Sequence, residues 1–227
     1  MSTYKSILFL TLLFIMGTSN AQDWANLEEF KADNAKIGIP SEGENRVVFM
    51  GNSITIGWLY TVPEFFEGKP YINRGISGQT TPQMLLRFRQ DVIALKPKVV
   101  VILAGTNDIA GNTGPSTLEM IADNIKSMAE LAKSNGIKVV LSSTLPAYDY
   151  PWKPGLEPAG KIVTLNKMIK EYAKENGHIY LDYFSTMADE RNGLPKEYAS
   201  DEVHPTKAGY MVMAPMAEAA IAKALKQ

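Results

Sequence analysis

At 227 residues, with 23 Lys+Arg against 24 Asp+Glu and no cysteine, the chain is long enough for one α/β domain with a sizeable core, which packing alone must hold together. The near-cancelling charge leaves no basic field for nucleic acid, so nucleic acid is excluded as an expected partner. The lack of cysteine excludes disulfides and thiolate metal sites.

Met1–Ala21 reads as a targeting segment. Lys5 supplies a positive start, Ile7–Met16 a short apolar run, and Ser19, Asn20 and Ala21 the positions a signal peptidase reads, so cleavage before Gln22 and export to the periplasm or the medium are expected. The run falls short of the roughly 20 apolar residues a bilayer span requires, no second run follows, and no cysteine is present for lipid attachment. No stable membrane anchor is therefore expected, and residues 22–227 are read as one domain.

Asp23–Lys36 is polar and compatible with a helix. Beyond it, apolar runs of strand length alternate with longer segments of helical period, the signature of βαβ units. The expected strands are Arg46–Met50, Pro70–Asn73, Val99–Ala104, Lys138–Ser143 and Ile179–Tyr183, most of them rich in Val and Ile as doubly covered parallel strands are. The expected helices are Pro82–Leu95, Ser116–Ser134, Pro158–Asn176 and a last one from Pro205 onward, with Asn135-Gly136 and Asn176-Gly177 as stops. Together they predict an α/β fold, a three-layer α/β/α sandwich on a five-stranded, mainly parallel sheet with right-handed crossovers. Leu145–Glu157 remains as a long irregular stretch holding Pro146, Tyr148, Tyr150, Pro151, Trp152 and Pro154, and loops of that length are usually functional or disordered.

Ligands of open α/β sheets bind beyond the carboxyl ends of the strands. The first three strands run into Gly51-Asn52-Ser53, Asn73-Arg74-Gly75-Ile76-Ser77-Gly78 and Gly105-Thr106-Asn107-Asp108, and the segment after the fifth into Asp201-Glu202-Val203-His204-Pro205. Acyl transfer needs a nucleophile, a base, an orienter for the base and donors for the oxyanion, and these loops hold one of each. Ser53, at the start of a helix, exposes its hydroxyl, and its N–H points into the same space. Gly78 allows close approach of its N–H, and the Asn107 amide can donate beside it. Of the two histidines, His178 precedes the fifth strand and so belongs at the far end of the sheet, as a surface or capping residue; His204 has Asp201 three residues before it, a spacing that lets a carboxylate hold Nδ1 while Nε2 faces Ser53. Asp108 reads as a loop organiser accepting N–H bonds, Asp182 as a structural hydrogen-bonding group, and Gly75 as a turn glycine.

The four blocks in this order resemble those of the SGNH (GDSL-like) hydrolase superfamily. The resemblance spans about residues 50 to 205 and implies a flavodoxin-like sandwich, Ser53 as nucleophile, oxyanion donors Ser53, Gly78 and Asn107, and triad partners Asp201 and His204. It also implies ester hydrolysis with no metal and no organic cofactor, on a small-molecule or glycan ester. The family's first block usually reads Gly-Asp-Ser; Asn52 here keeps the shape of the aspartate without its charge. Tyr148, Tyr150 and Trp152 are expected to form a stacking platform for a sugar or acyl chain, or else to pin their loop. The favoured activity is O-deacetylation of a carbohydrate. The alternatives are lysophospholipid or general short-chain ester hydrolysis, or a non-catalytic carbohydrate-binding protein on the same fold. No Gly-x-Ser-x-Gly elbow, His-Glu-x-x-His helix, P-loop or dinucleotide fingerprint is present.

Overall fold

The computed structural model of the protein describes residues 23–227, so the expected targeting segment lies outside the described residues. Five strands form one sheet: β1 (Val47–Gly51), β2 (Tyr71–Gly75), β3 (Val99–Ile102), β4 (Lys138–Ser142) and β5 (Ile179–Leu181). Around them lie α1 (Lys31–Ile37), α2 (Ser53–Thr61), α3 (Thr81–Asp91), α4 (Thr106–Ile109), α5 (Leu118–Ser134), α6 (Pro158–Asn176), α7 (Tyr183–Met187) and α8 (Lys207–Leu225). Every pairing is parallel, in the order β2-β1-β3-β4-β5, with Val48 beside Ile72 and Val100, and Val100 beside Val139. The order reverses between β1 and β3, which makes their carboxyl ends the switch point where a doubly wound sheet opens a crevice.

Alternation along the strands builds the three layers. Val48, Met50, Val100, Ile102, Val139 and Leu141 face Met84 and Phe88 of α3, Ile121 and Ile125 of α5, and Ile162 and Leu165 of α6. Val47, Phe49, Val99, Val101 and Val140 face the other way, onto Ile54 and Trp58 of α2, Tyr183 of α7, and Tyr210, Met213 and Ile221 of α8. Each such side chain taken wholly out of water stabilises the fold by roughly 1.5–3 kcal/mol before entropy is counted. Helix starts are capped where the sequence offers a hydroxyl: Thr80 and Gln83 close a capping box on α3, Thr117 accepts from Met120 N–H, and Thr206 accepts from Gly209 N–H.

The elements differ from expectation at their ends. Asp23–Lys36 is not one helix: turns occupy the chain before α1, Asn26 is left-handed at φ 55°, and side chains of α3 take the early carbonyls, Gln83 donating to Trp24 and Gln90 to Leu27. The third, fourth and fifth strands stop at Ile102, Ser142 and Leu181, because the chain turns out of the sheet there; Asp182, for example, accepts from Ser185 N–H and caps α7. The helix expected over Pro82–Leu95 ends at Asp91, and a 3-10 turn, Ile93–Leu95, closes on left-handed Lys96. Leu145–Glu157 connects β4 to α6 without regular structure. Among the described residues no helix is long and apolar enough to cross a membrane.

Candidate active site

Ser53 owes its position to its neighbours. Asn52 caps α2 by accepting from Ile54 N–H at 3.1 Å, which makes Ser53 the first helical residue. From the other side, the Tyr210 hydroxyl donates to the Ile54 carbonyl at 2.8 Å, and Gly57 leaves the room: a Cβ there would lie 2.2 Å from that hydroxyl. Gly75 is not the turn glycine the sequence suggests. It ends β2 with α2 running against it, and a Cβ would lie 2.3 Å from the Ile56 nitrogen.

Ser53 Oγ stands 2.9 Å from His204 Nε2, and His204 Nδ1 stands 2.7 Å from Asp201 Oδ2. The other oxygen of Asp201 accepts from the N–H groups of Val203 at 3.0 Å and His204 at 2.7 Å, so the short segment before α8 holds its own carboxylate in line with its own imidazole. Partial burial pushes the Asp201 carboxyl up, but the His204 N–H, the imidazole and the Val203 N–H outweigh it, and the net shift is below the ordinary carboxylate range. His178 lies before β5, at the opposite end of the sheet, half-buried with its ring 5.8 Å from that of Tyr172.

Across from the imidazole lie the candidate oxyanion donors. Gly78 is left-handed at φ 76°, and a Cβ there would meet only Asn112 Nδ2 at 4.0 Å, so backbone conformation, not space, requires glycine. Asn107 is buried on α4 and spends one amide hydrogen on the Gln79 carbonyl at 2.9 Å, which leaves the second. Asp108 organises the loop, accepting from Thr81 N–H at 2.9 and 3.1 Å and from the Thr81 hydroxyl at 2.6 Å. Burial pushes its carboxyl up to about 6 against the pull of the Thr81 bonds. Asp182 caps α7 and pairs with Lys170 at 3.2 Å.

Ser53, Gly78, Asn107 and His204 share an open cleft of 270 Å³ that is also lined by Ser77, Asn112 and Trp152. Ser77 and Asn112 were not anticipated; the Gly111-Asn112-Thr113-Gly114 turn just past Asn107 is the signal that could have found Asn112, whose amide donates to the Gly78 carbonyl at 3.1 Å. The three aromatic rings divide between the two roles expected of them. Only Trp152 lines the cleft, its ring 5.9 Å from that of His204. Tyr150 is wholly buried, because its hydroxyl sits between Thr106 Oγ1 at 2.9 Å and the Thr106 carbonyl at 3.0 Å; its ring is the footing on which Trp152 stacks at 5.1 Å. Tyr148 is half-exposed but lies against the Arg191 guanidinium at 4.9 Å, outside the cleft. Lys153, donating to the Ala110 carbonyl at 2.8 Å, fastens this loop to the end of α4.

The model of the GDSL-like Lipase/Acylhydrolase family matches residues 49–212, which takes in all four blocks. The chain belongs to this family. It is similar to the crystal structure of a GDSL-like lipase from Bacteroides thetaiotaomicron, with a TM-score of 0.86 and 50% identity, covering 88% of this chain and 98% of that one. The acetylxylan esterase of Geobacillus stearothermophilus is 28% identical over 76% of this chain and 82% of its own length. The lipoprotein YqeF of Bacillus subtilis, uncharacterized in function, is 29% identical over 48% of this chain; the chain spans about half of that relative, 52%.

Within this acylhydrolase family Asn52 is the departure noted above, and its geometry shows what the change does. Its Oδ1 does the capping that a carboxylate oxygen would do, while its Nδ2 is buried with no partner among the described residues. An unpaired buried donor costs about 1–3 kcal/mol.

Proposed function

We propose that this chain hydrolyses carboxylic esters through Ser53, His204 and Asp201, and that its substrate is an O-acetylated carbohydrate. The observation that carries the reading is the continuous line from Ser53 Oγ to His204 Nε2 at 2.9 Å and from Nδ1 to Asp201 at 2.7 Å. In this mechanism Ser53 Oγ attacks the acyl carbon while its proton passes to Nε2. The tetrahedral oxyanion is held by the Ser53 and Gly78 N–H groups and the second Asn107 amide hydrogen. The carbon–oxygen bond to the alcohol breaks as Nε2 returns the proton to it, and water, activated by the same imidazole, releases the acid and restores Ser53. Asp201 holds the tautomer that leaves Nε2 free to accept. A non-catalytic binding protein would have no use for this alignment.

Acetate is favoured as the acyl group because the relative from Geobacillus stearothermophilus that matches 76% of this chain is named for removing acetyl groups. A carbohydrate is favoured because Trp152, 46% exposed on a fixed footing, offers an apolar face beside the imidazole, and because one relative is named an acetylxylan esterase. The reading also takes residues 22–227 as one exported domain, released by cleavage before Gln22; N-terminal sequencing of the protein recovered from outside the cytoplasm checks that part.

The deciding experiment follows release of acetate from acetylated xylo-oligosaccharides, and hydrolysis of 4-nitrophenyl acetate, butyrate and octanoate, by the wild type and by Ser53→Ala. The expected result is activity on the acetylated sugars and on 4-nitrophenyl acetate, little on the octanoate, and none in the variant. Equal rates for the two proteins would sink the mechanism, and a preference for octanoate would sink the substrate.

A further inference from the structure

The three candidate oxyanion donors follow three different strands, β1, β2 and β3, and something must set their spacing. Arg87, in the body of α3, has no exposed surface. Its Nε donates to Gln79 Oε1 at 2.5 Å, its Nη1 to Asp91 at 3.1 Å, and its Nη2 to the carbonyls of Gly51 at 3.0 Å and Arg74 at 2.8 Å. Gly51 ends β1 two residues before Ser53, Arg74 is the penultimate residue of β2, and Gln79 directly follows Gly78. Gln79 passes the connection on: its carbonyl accepts from Asn107 at 2.9 Å, and its side-chain amide donates to the Ala25 carbonyl at 2.8 Å. One guanidinium and one amide therefore join the Ser53 loop, the Gly78 loop and Asn107.

A buried charge is an expensive way to fill space, and an apolar side chain of similar volume often serves stability as well or better. What the guanidinium offers is a rigid fork of N–H groups that can meet carbonyls on two strands and a side-chain oxygen at once, which a lysine cannot do. Burial lowers the Arg87 pKa to about 10, with Asp91 pulling the other way, so the fork stays charged at neutral pH.

We propose that Arg87 is a positioning residue for the oxyanion hole, acting through Gln79 and the Gly51 carbonyl. The inference rests on the reading of Ser53, Gly78 and Asn107 as the donors. Such donors help only if they are in place before charge develops, and misplacement by about 1 Å can cost on the order of a hundredfold in rate.

The test uses the full chain, as wild type, Arg87→Lys, Gln79→Met and the double variant, with active sites titrated to completion by a fluorophosphonate and 4-nitrophenyl acetate as substrate. Gln79→Met removes the acceptor for Arg87 yet keeps the backbone carbonyl that Asn107 uses. The expected result is a fall of roughly tenfold or more in kcat per titrated site for each single variant, KM unchanged to within about twofold, and a double variant no worse than Arg87→Lys, since the two act as one unit. A lower melting temperature and fewer titrated sites, with kcat per site unchanged, would mean that the network only supports the fold and would overturn the proposal. If Arg87→Lys does not fold, Gln79→Met decides by the same criterion. A wild type that turns over while Gln79→Met matches it overturns this inference alone. A wild type that neither hydrolyses any ester nor takes up the fluorophosphonate overturns the reading beneath it as well.

Discussion

The two sides of the cleft are built on opposite plans. On the oxyanion side Arg87, Asn107 and Asp108 are all buried, and their bonds join residues far apart in the chain, Asp108 to Thr81 and Asn107 to Gln79. On the base side the Asp201 and His204 side chains are 40% and 42% exposed, and the bonds that hold them to each other span three residues. The division matches the work proposed for each side. Fixed dipoles stabilise a developing charge most when they are dry and need no reorganisation, whereas a base has to exchange protons with an alcohol and with water. The oxyanion side should therefore be tied to global stability, and the base side should open locally at little cost to the rest.

The largest expected effect tests the base side. Asp201→Asn keeps an oxygen for the Val203 and His204 N–H groups but turns an NH2 toward Nδ1, which forces the proton onto Nε2, where it faces Ser53. Turnover of 4-nitrophenyl acetate should fall on the order of a thousandfold. The melting temperature should hardly move, because the pair is exposed. A large loss of stability in this variant would break the contrast between the two sides.

Asn107→Ala is the matching change on the buried side and should cost on the order of a hundredfold in kcat. Unlike Asp201→Asn it should also lower stability, because it strands the Gln79 carbonyl in the interior, at about 1–3 kcal/mol. Kinetics and urea unfolding on the same two preparations show whether activity and stability are coupled on one side and uncoupled on the other.

That contrast was half visible in the sequence. Asp201 and His204 could be paired from their spacing because their interaction is local, and the strands stood out because a parallel sheet covered on both faces leaves runs such as Val99–Ile102 that are apolar without interruption. On the buried side the loop blocks marked Gly78, Asn107 and Asp108, but the long-range bonds behind them were hidden for the complementary reason. Arg87 reads as an ordinary polar residue of an amphipathic helix, and only the carbonyls of two strands folded above it show otherwise. Tyr150 and Trp152, two residues apart in one loop, have the same hydropathy signature, yet Thr106, 44 residues away, takes the Tyr150 hydroxyl and buries its ring while Trp152 stays in the cleft. Asp23–Lys36 has helical composition, but Gln83 and Gln90 take carbonyls that a helix would have used. Where a partner lies far along the chain, residue type alone does not show it.

The carboxyls of the two sides also respond oppositely to pH. Asp108 is held up at about 6 by burial, so the folded state binds its proton more tightly than the unfolded chain does, and stability should decline as pH rises from about 4 to about 6, by roughly 2–3 kcal/mol. Asp201, held below the ordinary range, contributes stability that is complete above that range and is lost as pH falls through its folded-state value. Asp108→Asn should remove the decline between pH 4 and 6 while leaving the acid-side loss in place. Urea midpoints of both proteins across that range check it, and a decline that survives in the variant would place its origin elsewhere.

The smallest effect concerns the wall that leans over both sides. Among the described residues Trp152 makes no hydrogen bond from its side chain; it rests on Tyr150 and faces His204, with nearly half its surface exposed. If its ring is a surface for a sugar, Trp152→Ala should raise KM for acetylated xylo-oligosaccharides roughly two- to twelvefold, the worth of about 0.5–1.5 kcal/mol of ring stacking, and leave kcat on 4-nitrophenyl acetate unchanged. If kcat on the small ester falls instead, with KM for the sugar ester unmoved, the ring acts on His204 rather than on the substrate. In that case the exposed base would depend on the buried footing of Tyr150, and the two sides would not be independent.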